Sequence, residues 1–549
     1  METNNIPVTH FFQENRNIKQ SLTIICLAGI FLRLFHFCYD RSLWMDEIYL
    51  SSSFLHFSYW ELATEALDHD QKAPIGFLWL VKLTVDLFGK NEMALRIIPL
   101  LAGAGSLILY TRVCGNFLKP LSQILALVIF AFAPALIYHS VEIKQYSTEC
   151  LATVIALYLF IRFKDAQELK GKLLWGVLGA VLLWFSYSVI FVLAGIAAGE
   201  TLYALIKKNW NMLFINLVPF SLWVISFAIN YVLFTHRQAE SQWVVYFFKT
   251  YHNFMPMPPH NRQDLLWYPK NLQQMMDYPL GMVWDLQEFR KGRFTKLLSI
   301  PVIPIILMAT GIVSLFWSRR RSFYILIFPI LLMLFASGLS LYPLIERFWV
   351  FIAPVLIVFI ALGFEFYVLK LKTKWITAVL FILVVAGPVL QSAYFVVKPE
   401  KFYKHKKSLV RESLVYISNN FREGDVVYNY WNNYPGFDFY KSILPLRFKA
   451  VEGHDVRKQF NNLAAYNQNL QQDFEQFDGK KRVWVIYNTL FLTDIGDLTD
   501  DPKWYYKNHS PNQNLINQFN KIGRRVQKYV YPDVTVSLYE LNQQDIEEE

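Results

Sequence analysis

Two adjacent carboxylates, Asp46 and Glu47, follow the first long apolar stretch and are the leading candidates for chemistry. A carboxylate at the end of a membrane segment is costly unless it is solvated, paired with a cation or used in function. One that is used can act as a general base and take a proton from an acceptor hydroxyl or amine. The competing interpretation is a helix start or a solvated loop, and the pair alone does not decide between them.

Further polar residues stand in short segments between the later apolar stretches, and most are cations near a carboxylate. At the level of the lipid headgroups, such a set could activate an acceptor while Lys and Arg hold a lipid-linked phosphate. The candidates are Asp46, Glu47 and Glu142 for catalysis, and Lys72, Lys82, Arg96, Lys144, Tyr146 and Arg347 for binding the substrate.

Each of these candidates also has a purely structural interpretation. Lys82 and Arg96 can extend to the membrane surface along their apolar stems. Glu142 and Lys144 can form a solvated pair in a short loop, and Arg347 can anchor a helix end. Aromatic side chains at the ends of apolar stretches are typical of the belt at a membrane interface. The functional interpretation rests on the expected gathering of these residues on one face of the membrane.

The composition indicates an integral membrane protein. Of the 549 residues, 54% are hydrophobic and 17% are charged, whereas soluble domains carry roughly 25% charged residues. Repeated apolar stretches approach the ~20 residues that a membrane helix needs. The net charge of +10 comes from Lys and Arg in short loops, a pattern of membrane topology rather than of a nucleic-acid surface. The four cysteines lack metal-ligand spacing.

The basic loops predict the topology. Segment 74–89 is short and carries Lys82 and Asp86 four residues apart, so we interpret it as an interfacial helix in the first outer loop. Eleven spans then bring every basic short loop to the cytoplasmic side, whereas counting this segment as a span would bring most of them outside. The predicted spans are about 21–38, 93–113, 121–138, 146–163, a helical pair across 173–206, 212–234, 297–317, two spans ending near 342 and 370, and 375–397.

The end of the chain predicts a small soluble domain on the outer side. Segments 425–431, 482–488 and 534–541 are rich in β-branched and aromatic residues and predict strands. The intervening segments 406–421, 456–474 and 514–522 predict helices. We therefore expect a multi-span α-helical membrane domain over residues 1–398 and a small α/β domain, without a catalytic motif, over residues 399–549.

Four segments together resemble the glycosyltransferase C superfamily, in the branch of protein O-mannosyltransferases and lipid A aminoarabinose transferase. SLWMDEIYLS resembles the acidic motif of the family's first outer loop, and KAPIGFLWLVKLTVDLFGKNEMALRIIPLLAG resembles its juxtamembrane helix. APALIYHSVEIKQYSTE resembles the second outer-loop motif, and YPLIERFWVFIAP resembles a later motif that contains Arg. The resemblance is good over about residues 20–160 and looser beyond them.

The resemblance implies an inverting transfer of a sugar from a polyprenyl-phosphate-linked donor at the outer membrane face. It implies that Asp46 is the base or positions the acceptor, with Glu47 beside it. Glu142 would be a second acid, or a ligand where a divalent metal is used, and Lys144 and Arg347 would contact the phosphate. Two departures from the family pattern predict a donor pocket that differs in detail from that of the relatives. Lys144 stands where relatives often have Arg, and Lys72-Ala73-Pro74 replaces a double proline.

The expected partners are the donor lipid, a glycan, lipid or protein acceptor, and membrane lipids, with no nucleic acid and no firm cofactor. The expected location is the inner membrane of a bacterium, with the site facing the periplasm. The alternative function is a transporter or flippase of lipid-linked saccharides. Transporters keep ionisable sites near the bilayer midplane, often in paired halves, whereas these polar clusters lie at one surface and no repeat is visible. A non-catalytic scaffold is disfavoured by the intact Asp46-Glu47 motif.

Overall fold

A computed structural model describes residues 8–235, 242–283, 301–403, 408–489, 501–505 and 511–542. Helices make up nearly all of the regular structure before residue 398. They are α1 Val8–Cys38, α2 Met45–His56, α3 Glu61–Thr64, α4 Ile75–Phe88, α5 Glu92–Phe117, α6 Pro120–Phe132, α7 Pro134–His139, α8 Tyr146–Phe163, α9 Leu169–Leu182, α10 Val189–Ile206, α11 Trp210–Asn230, α12 Gln242–Thr250, α13 Arg262–Asp277, α14 Val302–Ser318, α15 Arg320–Gly338, α16 Ala353–Leu371 and α17 Lys374–Val397.

The chain is an integral membrane protein. Within the described ranges, eight helical stretches are long and apolar enough to cross a membrane, and α6 and α14 are shorter apolar helices. Helices α4 and α9 have 14 residues each, fewer than the ~20 that cross a bilayer without help. The expected number of eleven spans and the interfacial position of α4 therefore stay predictions.

The predicted span 121–138 is broken in two, which shapes the loop that follows it. Helix α6 ends at Phe132, Ala133 is extended, and α7 begins at Pro134. Proline has no N–H to donate and disfavours the helical conformation of the residue before it, so the break falls at this point. Buried Arg33 of α1 donates to the carbonyl of Ala131 at 3.1 Å. Helix α7 then leads directly into loop 139–146, the predicted second outer loop.

The described residues from 408 onward, here called the C-terminal module, contain a five-stranded sheet of order β2-β1-β3-β5-β4. The central strands β1 and β3 are parallel, with Val427 opposite Trp484, whereas β5 is antiparallel to both of its neighbours. The strands are β1 Val426–Asn429, β2 Ala450–Glu452, β3 Arg482–Asn488, β4 Gly523–Val530 and β5 Val534–Leu541, and the helices are α18 Val410–Asn420, α19 Tyr434–Ile443, α20 Leu463–Phe474 and α21 Pro511–Ile522.

The C-terminal module packs on helix α2 and its neighbours through a shared apolar core. Ile48 and Phe54 of α2 belong to the same buried cluster as Val410 and Leu414 of α18. Burying such side chains stabilises by about 1.5–3 kcal/mol each. The module is therefore docked against the helix that begins with the acidic pair.

Some sequence-based expectations fall partly on residues outside the described ranges. They are residues 406 and 407 of the expected helix 406–421, residues 297–300 of the expected span 297–317, and residues 236–241 and 284–296 of the expected outer loop. The described portion of that loop holds α12 and α13. The expected boundary between residues 398 and 399 stays a prediction.

Candidate active site

Asp46 lies in the first turn of α2 and pairs with Arg347. Its Oδ2 atom is 2.6 Å from Arg347 Nη1, and the two side chains keep 28% and 26% of their exposure. Arg347 belongs to the short 3-10 helix Glu346–Ile352 that precedes α16. The helix N-terminus also favours a negative charge at Asp46. The pair is accessible, unlike the buried charges of Glu47, Glu142 and Lys144.

Lys144 is the second cation close to this carboxylate. It lies between α7 and α8 and is buried, and its Nζ donates to Gln71 Oε1 at 2.6 Å. Burial lowers the pKa of Lys144; the Asp46 carboxylate raises this pKa and the Arg347 cation lowers it. Three charged side chains from three distant segments of the chain therefore gather at one point.

Glu47 has the opposite environment to Asp46. It is fully buried, with Arg41 Nη1 at 2.7 Å and Arg96 Nη2 at 3.6 Å. Its oxygens also accept from the backbone N–H groups of Ile143, at 2.9 Å, and Trp44, at 3.2 Å. Cations and amide donors compensate the buried charge, and the side chain fastens the start of α2 to loop 139–146.

Glu142 is buried in a chain of hydrogen bonds. Trp44 Nε1 donates to one of its oxygens at 3.1 Å, and His139 Nδ1 is 2.5 Å from the other. The second ring nitrogen of His139 bonds the Tyr278 hydroxyl, which comes from the loop after α13. Glu142 therefore joins the residue just before α2 to two other outer segments.

Tyr146 and Lys72, two of the remaining expected binding residues, stand next to residues described above. Tyr146 begins α8 and packs edge-on against Phe348, next to Arg347, with ring centroids 6.0 Å apart. Lys72 follows Gln71, and its partial burial lowers its pKa, whereas Asp70 raises it.

Lys82 and Arg96 are held by partners of their own. Lys82 Nζ is 2.8 Å from Asp86 Oδ1, one turn along α4. Arg96 is 1% exposed and donates to the Arg41 carbonyl at 2.7 Å and to Asp40 at 3.3 Å. Substrate binding by these two residues stays a prediction.

Sequence reasoning missed several residues that build this site. Arg41 carried a signal, since it stands six residues before Glu47 and at the end of the first apolar stretch. His139 was missed as a site residue, although it stands three residues before the predicted Glu142 and pairs with it. Tyr278 carried no signal in its long loop.

The residues present do not fit a metal centre. Among the described residues, no three His, Cys, Asp or Glu side chains are grouped as metal ligands. Both oxygens of Glu142, the residue to which the resemblance would assign a ligand role, are already bonded by Trp44 and His139.

Comparison with solved structures finds a shared fold. ArnT from Cupriavidus metallidurans bound to undecaprenyl phosphate is similar with a TM-score of 0.50 and 10% identity, over 94% of this chain and 97% of that one. Its apo state gives a TM-score of 0.47, with 12% identity and the same coverage. The Archaeoglobus fulgidus oligosaccharyltransferase tethered to an acceptor peptide gives 0.46, with 14% identity, over 96% of this chain and 74% of that one.

Comparison with families gives a match inside the membrane region. No curated protein sequence matches the chain. Residues 72–235 match the family model described as dolichyl-phosphate-mannose-protein mannosyltransferase. The expected resemblance to the glycosyltransferase C superfamily is confirmed by this match and by the shared fold.

Proposed function

We propose that this protein is a membrane glycosyltransferase that moves a sugar from a polyprenyl-phosphate-linked donor to an acceptor, with inversion. The observation that carries the proposal is the accessible Asp46–Arg347 pair with Lys144 beside it. A single carboxylate next to two cations can serve as the base for the acceptor while a phosphate is held close by. The buried pair Arg41–Glu47 cannot take that role, because neither side chain reaches the solvent.

In this proposal Arg347 and Lys144 hold the donor phosphate through charge-assisted hydrogen bonds. Arg347 is also the counter-ion of Asp46, so a phosphate that engages its guanidinium weakens the pair. The Asp46 carboxylate is then free to accept the proton of the acceptor. Donor binding and activation of the base are thereby coupled through one arginine.

The reaction is then a single displacement. Asp46 takes the proton from the acceptor's nucleophilic atom, which forms a bond to the anomeric carbon of the sugar. The bond from that carbon to the phosphate oxygen breaks on the opposite face. The polyprenyl phosphate leaves as an anion whose charge is stabilised by Arg347 and Lys144. Because the attack is opposite to the leaving group, the configuration inverts, and no covalent sugar–protein intermediate is needed.

The comparisons support the class of donor. The matched family is described as using a dolichyl-phosphate mannose, and the ArnT structure of shared fold holds undecaprenyl phosphate. We propose a bacterial inner membrane, a site on the periplasmic face and a glycan, lipid or protein acceptor. Glu47 and Glu142 are positioning residues in this account, since both are buried and bonded.

The test is Asp46→Asn in the full chain, assayed with a panel of polyprenyl-phosphate sugars. We expect transfer to fall roughly 10²–10⁴-fold, the usual contribution of a positioned general base. Affinity for polyprenyl phosphate should persist, because Asp46 does not hold the phosphate. The matched control is Glu65→Gln, an exposed carboxylate in the same loop.

Two results would contradict this proposal. Near-normal transfer by folded Asp46→Asn protein would show that Asp46 is not the general base. Wild-type protein that moves labelled donor across a vesicle membrane without releasing polyprenyl phosphate would instead indicate the transporter.

A further inference from the structure

Residues 39–44, here called the connector, join α1 to α2 and are held by the C-terminal module. Arg411 of α18 reaches Asp40 with two atoms: Nη1 lies 3.0 Å from its Oδ2, and Nη2 donates to its carbonyl at 2.6 Å. Asp40 has a positive φ of 45°, a conformation that a non-glycine residue adopts only when its surroundings hold it. Arg411 is therefore bonded to the strained residue of the connector.

Tyr440 of α19 makes a second attachment, three residues further along the connector. Its hydroxyl accepts from the backbone N–H of Leu43 at 2.9 Å and donates to Glu92 Oε1 at 2.6 Å. The Leu43 N–H also reaches Glu92 at 3.2 Å. Tyr440 is fully buried in the apolar cluster shared with α2. Buried hydrogen bonds of this kind are costly to leave unmade.

The attachments form one network across the interface between the module and the membrane region. Arg411 also pairs with Glu92, and Ser42 Oγ is bonded to Glu412. From the membrane side, Arg96 donates to the Arg41 carbonyl at 2.7 Å. The connector is thus bonded from both sides, and α2, with Asp46 in its first turn, starts directly after it.

We infer that Arg411 and Tyr440 are positioning residues, and that the C-terminal module takes part in catalysis by holding the connector in place. This inference rests on the proposed role of Asp46. A misplacement of about 1 Å at a reacting group can reduce the rate about 10²-fold. The module sets the direction of Asp46 without touching the substrate.

Hydrogen exchange of the full chain in lipid nanodiscs tests the structural half of the inference without any donor. In Tyr440→Phe the ring stays in the apolar cluster, but the Leu43 N–H keeps only its longer bond to Glu92. We expect exchange in residues 40–47 to accelerate roughly 3- to 10-fold, as the loss of one hydrogen bond implies. Arg411→Gln should have the same effect, and Arg411→Lys a smaller one, since lysine lacks the planar two-pronged donor.

The controls separate local from global effects. Tyr434→Phe alters a 44%-exposed tyrosine of the same helix and should leave exchange unchanged. Strand β3 reports whether the module itself has loosened. Unchanged exchange in the connector in both Tyr440→Phe and Arg411→Gln would overturn the inference, and so would acceleration that includes β3.

Turnover tests the functional half. Tyr440→Phe should lower the transfer rate roughly 10- to 100-fold and leave the affinity for polyprenyl phosphate unchanged, because Lys144 and Arg347 lie on other elements. Full turnover, or a loss matched by weaker binding of polyprenyl phosphate, would overturn the positioning role. If wild-type protein transfers no sugar although the exchange changes as expected, the proposed function fails and the structural attachment stands.

Discussion

Lys144 illustrates how a single residue gives the proposed site a property that an arginine at the same position would not. Burial lowers the pKa of Lys144, while Asp46 raises it less than burial lowers it. Arginine stays protonated at all ordinary pH values, whereas a buried lysine loses its proton more easily. The charge that we assign to phosphate binding is therefore sensitive to pH.

We expect the affinity for polyprenyl phosphate to fall as the pH is raised, and to begin falling below the pH of about 10.4 at which an ordinary lysine loses its charge. Lysine is charged below its pKa, and a lowered pKa brings the loss of charge to a lower pH than usual. Lys144→Arg should keep its affinity to higher pH in an equilibrium binding titration. Lys90→Arg, at an exposed position, should follow the wild-type profile. Identical profiles for wild type and Lys144→Arg would show that Lys144 does not hold the phosphate.

At this scale the sequence predicted part of the site. Asp46, Lys144 and Arg347 were expected together because charged residues at the outer ends of several spans must lie near one surface. The internal partners of Arg96 could not be predicted. Its contact with Asp40 joins residues 56 positions apart, and hydropathy does not specify which ends of which helices touch.

Among the elements, the first turn of α2 carries two adjacent carboxylates, Asp46 and Glu47. Glu47, its third residue, accepts the N–H of Trp44 just before the helix, as a capping carboxylate does. The same side chain pairs with Arg41 and Arg96, and all three are buried. The start of the helix therefore depends on one buried charge.

Glu47→Gln should destabilise the protein by about 3–5 kcal/mol, since it leaves buried Arg41 without its carboxylate and buried Arg96 with Asp40 alone. Thermal unfolding in detergent, followed by the loss of helical circular dichroism, measures this change. Glu65→Gln, on the exposed part of the same loop, should unfold like the wild type. An unchanged unfolding temperature for Glu47→Gln would mean that water reaches the Arg41–Glu47 pair.

The elements differ in how well the sequence predicted them. Long apolar stretches and the strands with β-branched and aromatic residues coincide with observed helices and with β1, β3 and β5. Strands β2 and β4 were missed: β2 has three residues, and β4 is exposed along seven of its eight residues and carries Arg524, Arg525 and Lys528. Charged edge strands resemble loops in sequence, because charge protects an unpaired edge.

For the whole molecule, orientation in the membrane is the property on which the site depends. In a chain without its four native cysteines, a cysteine in place of exposed Glu423 should react with an impermeant reagent from outside. One in place of Arg320, in the predicted cytoplasmic loop, should react only after permeabilisation. The reverse labelling pattern would show that the predicted orientation is wrong and that the proposed site does not face the periplasm.

The docking of the C-terminal module was not predictable from its sequence. The module was expected as a separate outer domain without a catalytic motif, and its link to the connector joins Arg411 to a residue 371 positions earlier. Contacts between such distant residues follow from how two folded parts meet, which local patterns do not encode.

The distance along the chain between Asp46 and its partner has a consequence for biosynthesis. Asp46 and Arg347 are 301 residues apart, which at 5–20 residues per second is about 15–60 s of translation. Throughout this interval the nascent chain carries Asp46 without Arg347, whereas Glu47 already has Arg41 six residues away. The connector waits longer still, until Arg411 and Tyr440 have been synthesised and exported. A ribosome that stalls before these residues leaves a membrane-inserted chain whose acidic motif is present but not yet assembled into a site.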